Sequence, residues 1–181
     1  MALTATLYAF DIELADVDRG VYETLNLRVA RHPSETEEYL MVRLLAYCLE
    51  YTEGIAFSTG GLSDADQPAL SVRDLTGAMR SWIDIGVPDV ARLHKASKAT
   101  ERVVLYSHKA PDDVLRQLAG GRIHRGDEIS IFCFAPEFRS ALASKLARRM
   151  ALTVSVTGGH LYIGIGGDLI EGALCRVTLP A

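Results

Sequence analysis

A chain of 181 residues, 49% hydrophobic and 23% charged, carries enough apolar material for a full core and too much for a disordered segment. Its formal net charge of -4 excludes a protein that is basic all over, so nucleic-acid binding requires a local patch. The start, Met1-Ala2-Leu3-Thr4, has no basic segment followed by an apolar one, and no later run approaches a membrane span, so a cytoplasmic protein without membrane attachment is expected.

Residues 3–14 and 21–30 are rich in β-formers, and Asp16-Val17-Asp18-Arg19-Gly20 between them is turn chemistry, which predicts an N-terminal hairpin. Ser34-Glu35-Thr36-Glu37 spells a capping box in which the Ser34 hydroxyl caps a helix. Leu40, Met41, Leu44, Leu45, Cys48 and Leu49 follow at helical spacing, and Gly54 is placed to end that helix. Ile55–Ser58 then reads as a strand, Ser63–Pro68 as an acidic loop, and Leu70–Asp74 with Ala78–Ile85 as a hairpin turned at Gly77. Pro88 suits the first turn of a helix running to about Ala99. The apolar run in Arg102–Ser107 is of the kind that pairs in parallel after a crossover.

The order from Ser34 to Ser107 is thus α-β-β-β-α-β. Beyond it come a short helix near Asp112–Ala119, a strand at Glu128–Phe134, a helix at Glu137–Met150, and strands near 151–157, 160–165 and 169–178. No linker or repeat divides them, so one mixed α/β domain over 1–181 is expected, its core about 34–107, supplemented by β-strands at both ends. Gly164-x-Gly166-Gly167 lies between strand-like runs and reads as a hairpin turn. Cys48, Cys133 and Cys175 stand singly in apolar stretches, which predicts reduced, buried thiols. The five histidines show no ligand spacing, so zinc is not expected.

The chemistry concentrates in the hairpin. Residues two apart on a strand share a face, so Trp82 and Asp84 point one way and Ile83 and Ile85 the other. If the register brings Asp74 near that face, two carboxylates can hold Mg²⁺, a hard cation that takes oxygen ligands. The simpler readings stand beside this one. Asp74 with Gly77 three residues on is also a type I turn pattern, and Asp84 can accept bonds from the N-terminus of the following helix. Glu35 and Glu38 are three apart near the start of the first helix, and Glu38 sits on the shoulder of its apolar stripe. Arg92, Lys95 and Lys98 supply cations on the next helix, where solvation of an exposed face is the ordinary role. Arg122, His124 and Arg125, with Arg139, Lys145, Arg148 and Arg149, read either as a phosphate-tracking surface or as solvated faces.

His32-Pro33-Ser34-Glu35-Thr36-x-Glu38, Arg43-Leu44-Leu45-Ala46 and Trp82-Ile83-Asp84-Ile85-Gly86-x-Pro88-Asp89, followed by Arg92-Leu93-x-Lys95-Ala96, resemble the YaeQ family of bacterial proteins across nearly the whole chain. The resemblance implies a compact variant of the PD-(D/E)XK nuclease core, whose element order matches the one read above. It further implies a Mg²⁺ site in which Glu38, or Glu35, is the helical acid, Asp74 the strand acid and Asp84 the first acid of the last motif. Gly86 stands where that motif has Lys, so the cation would come from Lys95 or, in reserve, Lys98; Arg92 stays protonated and cannot act as a base. Two functions follow as expectations: metal-dependent hydrolysis of a nucleic-acid phosphodiester, or a catalytically inactive module of the same fold that binds nucleic acid or protein.

Overall fold

The computed structural model describes residues 4–59 and 64–180. Met1–Leu3 and Ser63, which the readings of the chain start, first strand and acidic loop included, lie outside the described residues. The described chain holds eleven strands and four helices and divides into two compact units, residues 1–49 with 135–174 and residues 50–134 with 175–181. None of its helices is long and apolar enough to cross a membrane.

The first unit is built on a five-stranded mixed sheet. β1 (Thr6–Asp16) and β2 (Val21–Arg31) form the expected hairpin. β8 (Arg149–Thr157) pairs in parallel with β1, and β9 (His160–Ile165) and β10 (Asp168–Ala173) extend the sheet antiparallel, in the order β10-β9-β8-β1-β2. Alternation buries Tyr8, Phe10, Ile12 and Leu14 of β1 with Leu152 and Val154 of β8, as a sheet with one covered face requires. α1 (Glu37–Leu49) and α4 (Pro136–Ser144) pack on each other, and Phe138 of α4 lies so close to Gly172 of β10 that a Cβ there would stand 2.5 Å from its ring. Gly166 and Gly167, at φ +57° and +87°, make the β9–β10 turn, as the glycine pattern predicts.

Several boundaries differ from expectation. The N-cap of α1 is Thr36, whose Oγ1 accepts from the Tyr39 N–H at 3.0 Å, whereas the Ser34 hydroxyl is taken by His32 Nδ1 at 2.6 Å. Gly54 does not end α1. Its φ of +86° and a Cβ position 2.0 Å from the Arg73 carbonyl oxygen mark a close backbone approach to the strand beside it. The end of α1 is held instead by Arg19, whose Nη2 donates to the Cys48 carbonyl at 3.1 Å. α4 stops at Ser144 rather than Met150, because Arg149 and Met150 join β8 opposite Ala9 and Phe10.

The second unit holds a six-stranded mixed sheet, order β11-β7-β6-β5-β4-β3. β3 (Ile55–Phe57), β4 (Leu70–Arg73) and β5 (Met79–Ile85) are antiparallel neighbours. α2 (Val90–Ala99) then crosses over to β6 (Arg102–Ser107), which is parallel to β5 as expected. α3 (Pro111–Leu118) leads to β7 (Ser130–Cys133), again parallel. The expected last strand splits: 168–173 is β10 of the first unit, and β11 (Cys175–Val177) pairs antiparallel with β7. Pro88 precedes the N-cap of α2, which is Asp89, accepting the Arg92 N–H at 2.7 Å. Leu93 and Ala96 of α2 pack with Trp82, Val103 and Leu105 in the core of this unit. Cys48 and Cys133 are buried and in no disulfide, and burial pushes the Cys48 thiol up to about 12; Cys175, in contrast to expectation, is exposed.

Candidate functional site

The α-β-β-β-α-β order is present as α1-β3-β4-β5-α2-β6, with α1 in the first unit and the rest in the second. The expected site residues are therefore placed unit by unit.

In the first unit, Glu35 lies before α1, not on it, and is buried against Arg43, whose Nη2 donates to Oε2 at 2.9 Å. Burial pushes the Glu35 carboxyl up, opposed by Arg43. Glu38 is in the first turn of α1, with Arg139 Nη1 at 3.1 Å from its Oε2. Arg139 is thereby committed within its own unit, as is Lys145 to Asp168, while Arg148 lies over the Tyr8 ring at 5.7 Å. In the second unit Arg125 donates to the carbonyls of Ser97 and Thr100. Each of these four cations thus has a partner within its own unit.

Asp74 and Asp84 are not brought together. Ladder pairing runs from Arg73↔Met79 to Leu70↔Ile83, so the two acids sit at opposite ends of the hairpin, roughly 20 Å apart at about 3.4 Å per residue. Asp74 is a turn residue. Its Oδ1 accepts from the Thr76 hydroxyl at 2.6 Å, the Thr76 N–H at 2.9 Å and the Ala78 N–H at 3.0 Å, and its Oδ2 takes Arg80 Nε at 2.7 Å. These bonds, the Thr76 hydroxyl first, hold its carboxyl down at about 2. Gly77, at φ +85°, completes the turn, which is the simpler reading of Asp74-x-x-Gly77.

Asp84 stands at the other end, near the close of β5, buried, with four donors on its two oxygens. Trp82 Nε1 donates to Oδ2 at 2.8 Å, as the shared strand face predicts, and the Ala69 N–H to Oδ1 at 3.1 Å. Arg92 clamps it from α2, Nε to Oδ2 at 2.9 Å and Nη2 to Oδ1 at 3.1 Å. The same guanidinium donates to the carbonyls of Ala65 and Gln67, each at 2.8 Å, and lies 5.2 Å from the Trp82 ring centroid. Between those carbonyls is Asp66, paired with Lys95 three residues along α2 from Arg92. That hydrogen bond lowers the Asp66 carboxyl, although both side chains are mostly exposed, 76% and 59%, so the pair contributes little to stability. Lys98 is also exposed, near the end of α2.

Gly86 has φ +89° and donates its N–H to the Tyr106 carbonyl at 2.8 Å. A lysine would be strained in that left-handed backbone, and the cation at Asp84, Arg92, comes from α2 instead. Asp66 is the residue that sequence reasoning passed over. The signal available was an acidic loop entering β4, facing two cations spaced i, i+3 on a helix. Among the described residues no three His, Cys, Asp or Glu side chains group closely enough to hold a metal ion by themselves.

The family model described as "YaeQ protein" matches residues 1–173 of the chain. Proteins described as "Uncharacterized protein YaeQ" from Escherichia coli strain K12 and Salmonella typhi are 30% and 39% identical, each over 182 residues and the full length of both chains. Among solved structures, the YaeQ protein from Pseudomonas syringae aligns with a TM-score of 0.86 at 33% identity, covering 97% of each chain. The one from Xanthomonas axonopodis pv. citri aligns with a TM-score of 0.88 at 31% identity, covering 98% of this chain and 100% of that one.

Proposed function

The chain belongs to the YaeQ family, and on that footing we propose that it is a metal-assisted phosphodiester hydrolase acting on nucleic acid, with a variant PD-(D/E)XK site centred on Asp84. One observation carries this reading: the Asp84 carboxylate and the Ala65 and Gln67 carbonyls converge on a single cationic group, the Arg92 guanidinium. An all-oxygen set gathered round a cation suits Mg²⁺, which binds through one or two carboxylates and completes its shell with water and substrate phosphate. Asp84 would hold the ion, and Asp66, which lies in sequence between the two carbonyls, replaces Asp74 as the second acid of the proposal.

When bound, the metal would polarise a phosphoryl oxygen and lower the pKa of a water. The chain's own residues do the rest. Lys95, exposed although paired with Asp66, can turn its ammonium to a phosphate oxygen, with Lys98 one turn beyond it for the flanking backbone. Trp82 fixes the orientation of the Asp84 carboxylate from inside the core.

The test is cleavage of single- and double-stranded DNA and RNA by purified protein with Mg²⁺ or Mn²⁺. Asp84→Asn should lower the rate by about 100-fold or more, since the amide keeps the shape and loses the charge. An unchanged rate in that variant would assign the activity to another site or a contaminant. A second reading, binding without turnover, is favoured by the four donors that fill Asp84 and by Gly86 in the lysine position. It predicts nucleic-acid binding that is indifferent to divalent ions.

A further inference from the structure

We propose that the uncovered face of the five-stranded sheet in the first unit is the interface of a two-fold dimer, in which Arg28 and Arg149 of each copy dock onto Asp11 and Glu13 of the other. This interface is independent of the assignment of Asp84 as a metal acid.

Alternation buries one side of this sheet and sends Leu7, Ala9, Asp11, Glu13 and Ala15 of β1 to the other. An uncovered sheet face ordinarily carries polar side chains, yet this one presents large apolar ones. Of the six large apolar side chains that stand exposed among the described residues, Leu7, Tyr22 and Leu169 lie on this face, at 51%, 62% and 60% exposure. Val17, a fourth, follows the same alternation one residue past β1, where its N–H continues the ladder to the Val156 carbonyl. Such a concentration marks an interaction surface. Strands about 4.8 Å apart, running from Leu7 to Ala15 at about 3.4 Å per residue, give the face an area of roughly 700 Å². A stable complex covers about 800 Å² on each partner, so the patch is of the right size.

Charge placement identifies the cover as a second copy. The ladder register sets Arg28 and Arg149 on either side of Ala9, then Asp11 between Asn26 and Ala151, then Glu13 between Thr24 and Thr153. The side chains of Arg28, Arg149, Asp11 and Glu13 have no ion-pair or hydrogen-bond partner among the described residues. A basic row thus lies beside acidic ones, and the surface is complementary to itself turned end for end. A two-fold axis crossing the strands near Asp11 brings each basic row over the acids of the other copy, an isologous contact. Stacked sheets lie about 10 Å apart with strands within about 30°, a gap that arginine and glutamate span together. The face also holds a hollow of about 630 Å³, lined by Asp11, Glu13, Ala151, Thr153, Gly164 and Leu169 among others. Gly164 keeps it open, since a Cβ there would stand 2.5 Å from Thr153 Oγ1. The same axis sets Arg149 of the second copy over this hollow, with Leu169 for its alkyl stem and the two carboxylates for its guanidinium.

Sedimentation equilibrium of the full chain tests this. The parent should dimerise with a Kd in the micromolar range or below. Arg28→Glu with Arg149→Glu, and separately Asp11→Arg with Glu13→Arg, should each raise that Kd by about 100-fold or more, with the circular dichroism unchanged. Mixed in equal amounts, the two double variants should associate with each other, because each then offers the charge that the other's face lacks. A parent that stays monomeric at millimolar concentration overturns the proposal. A dimer that both double variants retain places the interface on another surface and overturns it as well. Two monomeric variants that fail to associate when mixed overturn the pairing of basic and acidic rows. Should a double variant not fold, Leu169→Arg, which sets a like charge in the hollow that Arg149 enters, carries the comparison, and an unchanged Kd there counts against the dimer.

Discussion

Four carboxylates of similar sequence appearance end in four different states, and the partner decides each one. Glu35 is buried and ion-paired, Glu38 is half-exposed beside Arg139, Asp84 is filled by four donors, and Asp74 closes a turn. Asp74 gives the clearest consequence of pH. Its carboxyl is held at about 2 in the fold, below the ordinary carboxylate value, so the folded state binds that proton less readily than the unfolded chain. Its contribution is therefore full above the ordinary carboxylate pKa and drains away as pH falls from about 4 toward 2. Asp74→Asn should lower stability at neutral pH and show a smaller further loss across that acid window, measured by urea unfolding at a series of pH values. Parallel pH curves for the two chains would show that the turn does not depend on the charge.

At the scale of the element, local pattern and long-range pairing contend. Thr36, not Ser34, caps α1, so Thr36→Ala should destabilise by about 1 kcal/mol and Ser34→Ala by clearly less; equal losses in thermal unfolding would return the cap to Ser34. The sequence pattern misleads there because Ser34-x-x-Glu37 and Thr36 both satisfy a capping rule, and only the His32 ring, which occupies the Ser34 hydroxyl, separates them. The hairpins and the parallel β5–β6 pair are legible from alternation and from a continuous apolar run, since those patterns are local. The end of α4 is not: Ala143 to Met150 is good helix sequence, yet Arg149 and Met150 pair with β1, a non-local partner that overrides propensity. The site divides the same way. Trp82 and Asp84 on one face follow from strand period, whereas Asp66 lies in a loop without period, and its place depends on carbonyls gripped by a helix that follows later in the chain.

Over the whole molecule, the chain begins one unit, builds most of a second, and returns to finish both. Residues 135–174 complete the first unit through the parallel β1–β8 pair and the α1–α4 contact, and residues 175–181 add β11 to the second. Until the return segment is present, β1 has only β2 to pair with, and the apolar side chains of Tyr8, Phe10, Ile12 and Leu14 lack the β8 neighbours of their sheet. A two-stranded hairpin is marginal in water, and its free edge invites association. A chain ending at Phe134 should therefore lose hydrogen-exchange protection along β1, including amides that are paired with β2. A chain ending at Leu174 should keep that protection, because every strand of the first sheet is present, and should lose stability instead around Ile131 and Cys133, the β7 partners of β11. Exchange measured residue by residue on both truncations separates the two effects. Slow exchange of β1 amides in the chain ending at Phe134 would mean that the N-terminal hairpin is stable without β8, and that the long parallel pairing adds to a structure already formed.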